Sequence, residues 1–262
     1  MKKLIALAMV GMLAVATLTG CGQAAGETFT VGFDAEFPPY GYRDENGEYV
    51  GFDLDLAAEV AERNDWELVK QPIEWAAKDM ELESESIDCI WNGFTMNGRE
   101  SQYTWTEAYV DNSQVVVVAA DSGITVKNDL AGKVVAVQKD SSALAALNDE
   151  ENAENIALRD SFAELIEYAD YNTAFMDLEQ GAVDAVAIDI GVAQYQVEKR
   201  EAGAYVMLEE KLATEQYGVG FLLGNEELRD TVQKTLNEMV EDGTFMEIAK
   251  KWNLEDSVCL GK

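Results

Sequence analysis

The chain has 262 residues with 48% hydrophobic content, enough to form either two domains or one large one with sizeable cores. Its 50 acidic residues against 19 basic give a net charge of −31, a surface that repels nucleic acid and anionic lipid and excludes a polyanion partner. Histidine is absent, which excludes every His-based triad, His-metal site and His general base.

Residues 1–20 read as an export signal. Lys2 and Lys3 form its charged start, Leu4 to Leu18 its apolar segment, and Leu18-Thr19-Gly20-Cys21 its end. The apolar segment falls short of the roughly 20 residues that span a bilayer. The Leu-Thr-Gly-Cys ending resembles a bacterial lipoprotein processing site, which implies cleavage before Cys21 and lipid on that residue. Residues 21–27 then form a short tether.

Thr28 to Phe33 alternates like a strand and runs into Asp34-Ala35-Glu36-Phe37-Pro38-Pro39-Tyr40, where the prolines end regular structure. Asn46-Gly47, between Tyr42 and Tyr49, is a hairpin turn signal. Asp53 to Asn64 reads as a helix carrying Leu54, Ala57, Ala58 and Ala61 at helical spacing. Trp66 to Gln71 is strand-like and Lys78 to Ser84 helical. Ile87 to Trp91 is an apolar strand that Asn92-Gly93 breaks, with Arg99 following in a small polar loop. Strand, helix, strand, helix, strand predicts a parallel α/β sheet, and loops at the carboxyl ends of such strands are where ligands bind.

Glu107 to Gln114 leads into Val115 to Ala120 and reads as a crossing into a second lobe. There Val134 to Val137 and Val183 to Ile188 are apolar strands. Helices begin near Ser141 and Thr173, and a third covers Val192 to Arg200. The acidic run Asp149 to Glu154 reads as a solvated loop. Tyr217 to Leu222 is a strand taken as the return crossing, followed by helices over Glu226 to Glu241 and Thr244 to Trp252.

From Phe29 to about Leu254 the chain resembles the extracytoplasmic amino-acid-binding proteins of ABC importers. The markers are Asp34-x-x-Phe37-x-Pro39-Tyr40, Gly51-Phe52-Asp53-x-Asp55-Leu56, the Gly93 to Arg99 loop, Ala136-Val137-Gln138-x-x-Ser141-Ser142, Val183-Asp184-Ala185-x-x-x-Asp189 and Tyr217-Gly218-x-Gly220-Phe221, in family order. The resemblance implies two α/β lobes joined by two crossing strands, of the type II periplasmic-binding-protein kind. Lobe 1 is expected over 28–114 plus 214–262 and lobe 2 over 115–213, with a ligand in the cleft between them.

By the same resemblance, Arg99 clamps a ligand α-carboxylate, helped by Thr95 and by Ser141 and Ser142 at a helix start. Asp189 pairs with the α-ammonium, to which the backbone at Asn92 and Gly93 also contributes. Phe37 and Trp75 flank the ligand side chain, and Asp34 and Gln138 lie near its pocket. Two departures stand out. The Thr95 to Arg99 loop is one residue shorter than is common, and Asp140 stands where Gly is usual before Ser-Ser.

The function expected is binding of a polar amino acid outside the cytoplasmic membrane. Hinge closure then delivers it to an ABC permease, the protein acting as a lipid-anchored monomer without metal or cofactor. The alternative is an extracellular dehydratase of prephenate or arogenate on the same fold, with Glu36 or Asp140 as general acid. Two thiols without His or a Cys-x-x-Cys pair exclude a zinc site, leaving a disulfide or two buried thiols. With Cys21 lipidated the count is even, and the chain returns to lobe 1 before it ends. Cys89 and Cys259 are therefore expected to be bonded.

Overall fold

The computed structural model describes residues 27–262, so the export signal and the lipid-bearing Cys21 lie outside the described residues. The elements are β1 (Thr28–Phe33), β2 (Glu36–Phe37), β3 (Gly41–Arg43), β4 (Tyr49–Val50), α1 (Phe52–Arg63), β5 (Glu67–Pro72), α2 (Lys78–Glu83), β6 (Cys89–Ile90) and β7 (Thr104–Trp105). There follow β8 (Val110–Ala119), β9 (Val134–Gln138), α3 (Ser142–Leu147), α4 (Ala153–Ser161), β10 (Glu164–Tyr168), α5 (Tyr171–Glu179), β11 (Ala185–Asp189), α6 (Ile190–Glu198), β12 (Tyr205–Met207), β13 (Ala213–Tyr217), β14 (Gly220–Phe221), α7 (Glu226–Asp242) and α8 (Thr244–Lys251).

Two sheets carry the two lobes. The first has the order β5-β1-β6-β14-β7, and the second is β10-β9-β11-β8-β12 with β13 also paired to β8. β1 lies parallel to β5 and β6, so the apolar run of β1 is buried at Phe29, Val31 and Phe33. β9 lies parallel to β10 and β11 in the same manner. Val115 to Val118 on β8 are all buried, as a strand covered on both faces must be. Each such side chain contributes about 1.5–3 kcal/mol. A small sheet β2-β3-β4 closes on the Asn46-Gly47 turn, where Gly47 takes φ 87° and Asp44 accepts the amides of Asn46 and Glu48.

The lobes are joined where β8 and β13 run antiparallel, with Asn112 opposite Glu215 and Val110 opposite Tyr217. The expected return strand Tyr217 to Leu222 is two pieces. β13 is the crossing, and after Gly218 and Val219 the chain enters the first sheet as β14. Two further corrections concern helices. Ala58 is exposed, and α1 buries Leu54, Leu56, Ala57, Val60 and Ala61 instead. The acidic run is a loop only to Asn152, whose side chain caps α4 by accepting the Asn155 amide.

The Cys89–Cys259 bond is not formed, and both thiols are free. Cys89 is fully buried on β6 between β1 and β14. Cys259 follows the bridge between Val110 and Val258, and its amide donates to the Tyr109 carbonyl. Parity and compartment carry no information on where two side chains point.

Candidate functional site

The small polar loop from Asn92 to Arg99 follows the end of β6. Asn92 and Gly93 are buried, and Gly93 takes φ 57°, which a side-chain-bearing residue adopts only with strain. The Gly93 amide donates to Asp53 Oδ2 at 2.5 Å, and the Tyr109 hydroxyl donates to the same oxygen at 2.8 Å. Burial pushes the Asp53 carboxyl up to about 7. Asp53 stands in the first turn of α1 and fixes the loop from behind. Asn92 Oδ1 accepts the Asp34 amide.

In front of this loop lies a narrow cleft, about 10 Å³ in this arrangement and so with room for about one water molecule. Phe37, Trp75, Asn92 and Gly93 line it from the first lobe, and Gln138, Ser141, Ser142 and Asp189 from the second. The fold therefore brings eight of the expected residues to one cavity between the lobes. Phe37 is held against Tyr40 and Tyr171, with ring centroids 5.8 and 6.1 Å apart, and Trp75 meets the edge of Phe94 at 5.5 Å. Ser141 caps α3 by accepting the Leu144 amide.

The other three sit at the margins. Arg99 lines an adjoining, open groove of about 470 Å³ that shares Ser142 with the cleft. Its Nη1 donates to Ser142 Oγ at 3.1 Å and to the Thr95 carbonyl at 3.2 Å. Thr95 does not line the cleft, and its hydroxyl donates to Glu215 Oε1 at 2.8 Å. Asp34 is one hydrogen bond behind the wall, accepting Gln138 Nε2 at 2.7 Å, and burial pushes its carboxyl up to about 6.

Asp189 ends β11. Its Oδ1 accepts the Tyr217 hydroxyl at 2.5 Å, Gln114 Nε2 at 2.7 Å and Asn112 Nδ2 at 2.8 Å. The same two amides donate to Glu215 Oε1, at 2.6 Å from Gln114 and 2.7 Å from Asn112. Two buried carboxylates on different strands are thus bridged by two NH₂ groups of β8. Because those groups face the carboxylates, Asn112 Oδ1 and Gln114 Oε1 are left buried without a partner. Burial, and then the nearby Glu215, push Asp189 up to about 7. Among the described residues neither Asp189 nor Glu215 forms an ion pair with a protein cation. A buried carboxylate facing a cavity in this condition is arranged to receive a cation from outside.

Sequence reasoning passed over Asn112, Gln114, Glu215, Tyr217 and Asp53 as site residues. A signal was present: Asn112 and Gln114 alternate onto one face of a strand that continues into four valines. The two proposed general acids are engaged elsewhere. The Glu36 carboxylate takes Asn172 Nδ2, and the Asp140 carboxylate pairs with Lys78 Nζ. The enzyme alternative has no support.

The model of bacterial extracellular solute-binding proteins, family 3, matches residues 29–255. The chain belongs to that family. Among its relatives, the L-cystine-binding protein of Escherichia coli is 26% identical over 260 residues, covering 94% of each chain. The histidine-binding periplasmic protein of the same organism is 29% identical, covering 96% of this chain and 97% of the relative. A substrate-binding protein of an ABC uptake transporter from Streptococcus pneumoniae, solved with bound histidine, superposes with a TM-score of 0.83. It is 33% identical, covering 88% of this chain and 94% of the other. An ancestral arginine-binding protein bound to arginine gives 0.77 at 33% identity, over 87% and 99% of the two chains. No helix among the described residues is long and apolar enough to cross a membrane.

Proposed function

We propose that this family-3 protein binds an L-α-amino acid with a cationic side chain and hands it to an ABC permease. The observation that carries the amino-acid reading is Asp189, buried, lining the cleft and without a protein cation among the described residues, with Arg99 at the margin by Ser142. A zwitterion bridges the two: its ammonium goes to Asp189 and its carboxylate to the guanidinium. Phe37 and Trp75 form flat walls suited to a planar guanidinium, and Asp34 adds negative potential behind Gln138. Relatives named for arginine and for lysine, arginine and ornithine support a cationic ligand, while those named for cystine and histidine fit the wider class of polar amino acids. The cleft performs no chemistry.

Lobe 1 comprises 28–114 plus 214–262 and lobe 2 comprises 115–213, with the hinge near 111–115 and 213–217, where β8 and β13 pass between the sheets. Ligand contacts from both lobes favour the closed arrangement, a population shift driven by differential affinity. Cys21 carries lipid and keeps the monomer at the outer face of the membrane. A thermal-shift screen of the twenty amino acids plus cystine and ornithine tests the ligand class. A ligand at 100 times its dissociation constant stabilises by about 2.7 kcal/mol, and L-arginine is expected among the largest shifts. No shift with any cationic amino acid would remove the assignment, and turnover of prephenate or arogenate would restore the enzyme.

A further inference from the structure

Asp140 joins the lobes by a contact that the ligand does not make. The residue takes φ 59°, a left-handed conformation that glycine adopts freely and Asp tolerates at some cost. This geometry turns the side chain out of the cleft, which it does not line, and across to the first lobe. There it pairs with Lys78 Nζ. Lys78 is only 2% exposed, a rare condition for lysine, and Asp140 is its sole ion-pair partner among the described residues. Two further contacts converge on the same point. Trp75 Nε1 donates to the Asp140 carbonyl at 3.2 Å, and Lys78 Nζ lies over the Trp75 ring at 5.1 Å.

We infer that Lys78 and Asp140 form a latch between the lobes that favours closure independently of ligand and holds Trp75 as a wall of the cleft. Opening the cleft breaks a charge-assisted hydrogen bond between Lys78 and Asp140 and the Trp75 bond to the Asp140 carbonyl, contacts between lobes that only the closed arrangement holds. The backbone strain at Asp140 is local to its own loop and present in both arrangements, so it cancels from the comparison. The carboxylate itself is half exposed, which lowers the gain below that of a fully buried pair. The inference rests on the hinged cleft proposed above but not on which ligand fills it.

The test measures lobe separation in single molecules of the full chain, with dyes attached through azide-bearing residues at positions 80 and 176, both exposed and on opposite lobes. Asp140→Gly is the first variant, because glycine suits the backbone and the chain will fold. Lys78→Met keeps the apolar stem, and Asp140→Lys sets two cations against each other. Without ligand, the closed-to-open ratio should fall roughly threefold to thirtyfold in the first two variants and further in the third. Molar salt should lower it in the natural protein but not in Asp140→Gly. With L-arginine as probe, release should be faster in each variant by a similar factor. If variants and salt move the ratio but L-arginine does not, the latch stands and the ligand assignment fails. If L-arginine closes all four proteins alike, with equal ligand-free ratios and equal release rates, there is no latch. One separation for every protein and condition would remove latch and hinge together.

Discussion

Gln114 stands opposite Asp189 in the ladder between β8 and β11, and its amide reaches that carboxylate at 2.7 Å. The crossing strand thus holds the group that receives the ligand ammonium, and it does so with neutral donors alone. Asp189→Asn keeps an oxygen for those donors and removes the charge. L-Arginine binding should weaken by about 2–5 kcal/mol, the usual cost of truncating one partner of a buried charge pair. The ligand-free protein should melt no lower, and should gain stability at neutral pH, because a buried charge without a cation has been removed. Calorimetric titration and thermal melting of the same variant check both halves. A parallel fall in stability and affinity would mean that Asp189 is structural.

Acidity should act in opposite directions on folding and on binding. Asp34 is pushed up to about 6 and Asp189 and Asp53 to about 7, from an ordinary value of 3.8, chiefly by burial. Between the ordinary and the raised values the folded chain holds protons that the unfolded chain has released. Stability therefore falls as pH rises from about 4 to 7. A cationic ligand favours the ionised carboxylates, so its affinity should rise over the upper part of that window, from about pH 5 to 7, with protons released on binding. Thermal melting and titration at pH 5 and pH 7 measure the two slopes. Asp189→Asn should reduce both slopes, leaving the parts due to Asp34 and Asp53. Binding that strengthens toward acid would contradict the cationic partner.

The sequence carried the outline of the lobes because β1, β9 and β11 are apolar runs of strand length and α7 repeats its apolar residues at helical spacing. It also carried most of the cleft, through the family resemblance: Phe37, Gln138, Ser141 and Asp189 belong to the motifs that carry it, and all four line the cavity. What it could not carry was orientation. Asn112, Gln114 and Glu215 meet only through the register of β8 with β11 and β13, which no local pattern states. The same blindness produced the expected disulfide and left open where Asp140 points. Trp66 and Gln71 were misjudged only as strand ends, since β5 begins and finishes one residue later. α4 was hidden because its start lies inside an acidic run that reads as loop.

Gly93→Ala should harm binding through the wall as well as the backbone. A methyl group there would lie 3.0 Å from Phe37 Cε1 and 3.0 Å from Tyr217 Cε2, at φ 57°. The left-handed conformation alone costs about 1–2 kcal/mol. Moving Tyr217 also disturbs the hydroxyl that donates to Asp189. The variant should melt lower and bind L-arginine at least tenfold more weakly. Stability loss with unchanged affinity would place the strain outside the site.

Free thiols make a simple prediction. Alkylation of the unfolded chain without reductant, followed by peptide mapping, should find both Cys89 and Cys259 modified, and reductant should leave the melting temperature unchanged. In the folded protein both should react slowly at pH 8. Burial raises Cys89 well above the usual thiol range, and burial with the neighbouring Asp111 pushes Cys259 up to about 11. Cys259, partly exposed, should still react before Cys89. A peptide joining the two residues would refute the free state.

Arg99 offers the sharpest test of the other end of the ligand. Its guanidinium is fixed by Ser142 Oγ and the Thr95 carbonyl through a single nitrogen, and its carbon lies 5.5 Å from the Phe94 ring. Nε and Nη2 make no hydrogen bond among the described residues, which leaves donors to meet a carboxylate in two-point fashion. Arg99→Ala should therefore weaken L-arginine binding by about 2–5 kcal/mol. Arg99→Lys should recover only part, since an ammonium cannot reproduce the planar fork. The substitution also removes the bond to Ser142, a contact between lobes, so Ser142→Ala serves as the control. If Arg99 acted only by tying the lobes, Ser142→Ala would reproduce the loss. L-Argininamide separates the remaining possibilities, because it keeps the side chain and ammonium but lacks the carboxylate charge. It should bind the natural protein poorly and lose far less than L-arginine when Arg99 is removed. Titration of both ligands into both proteins closes the cycle. A change under about threefold for L-arginine on Arg99→Ala, below the 1.4 kcal/mol of one tenfold step, would show that the carboxylate is held elsewhere in the cleft.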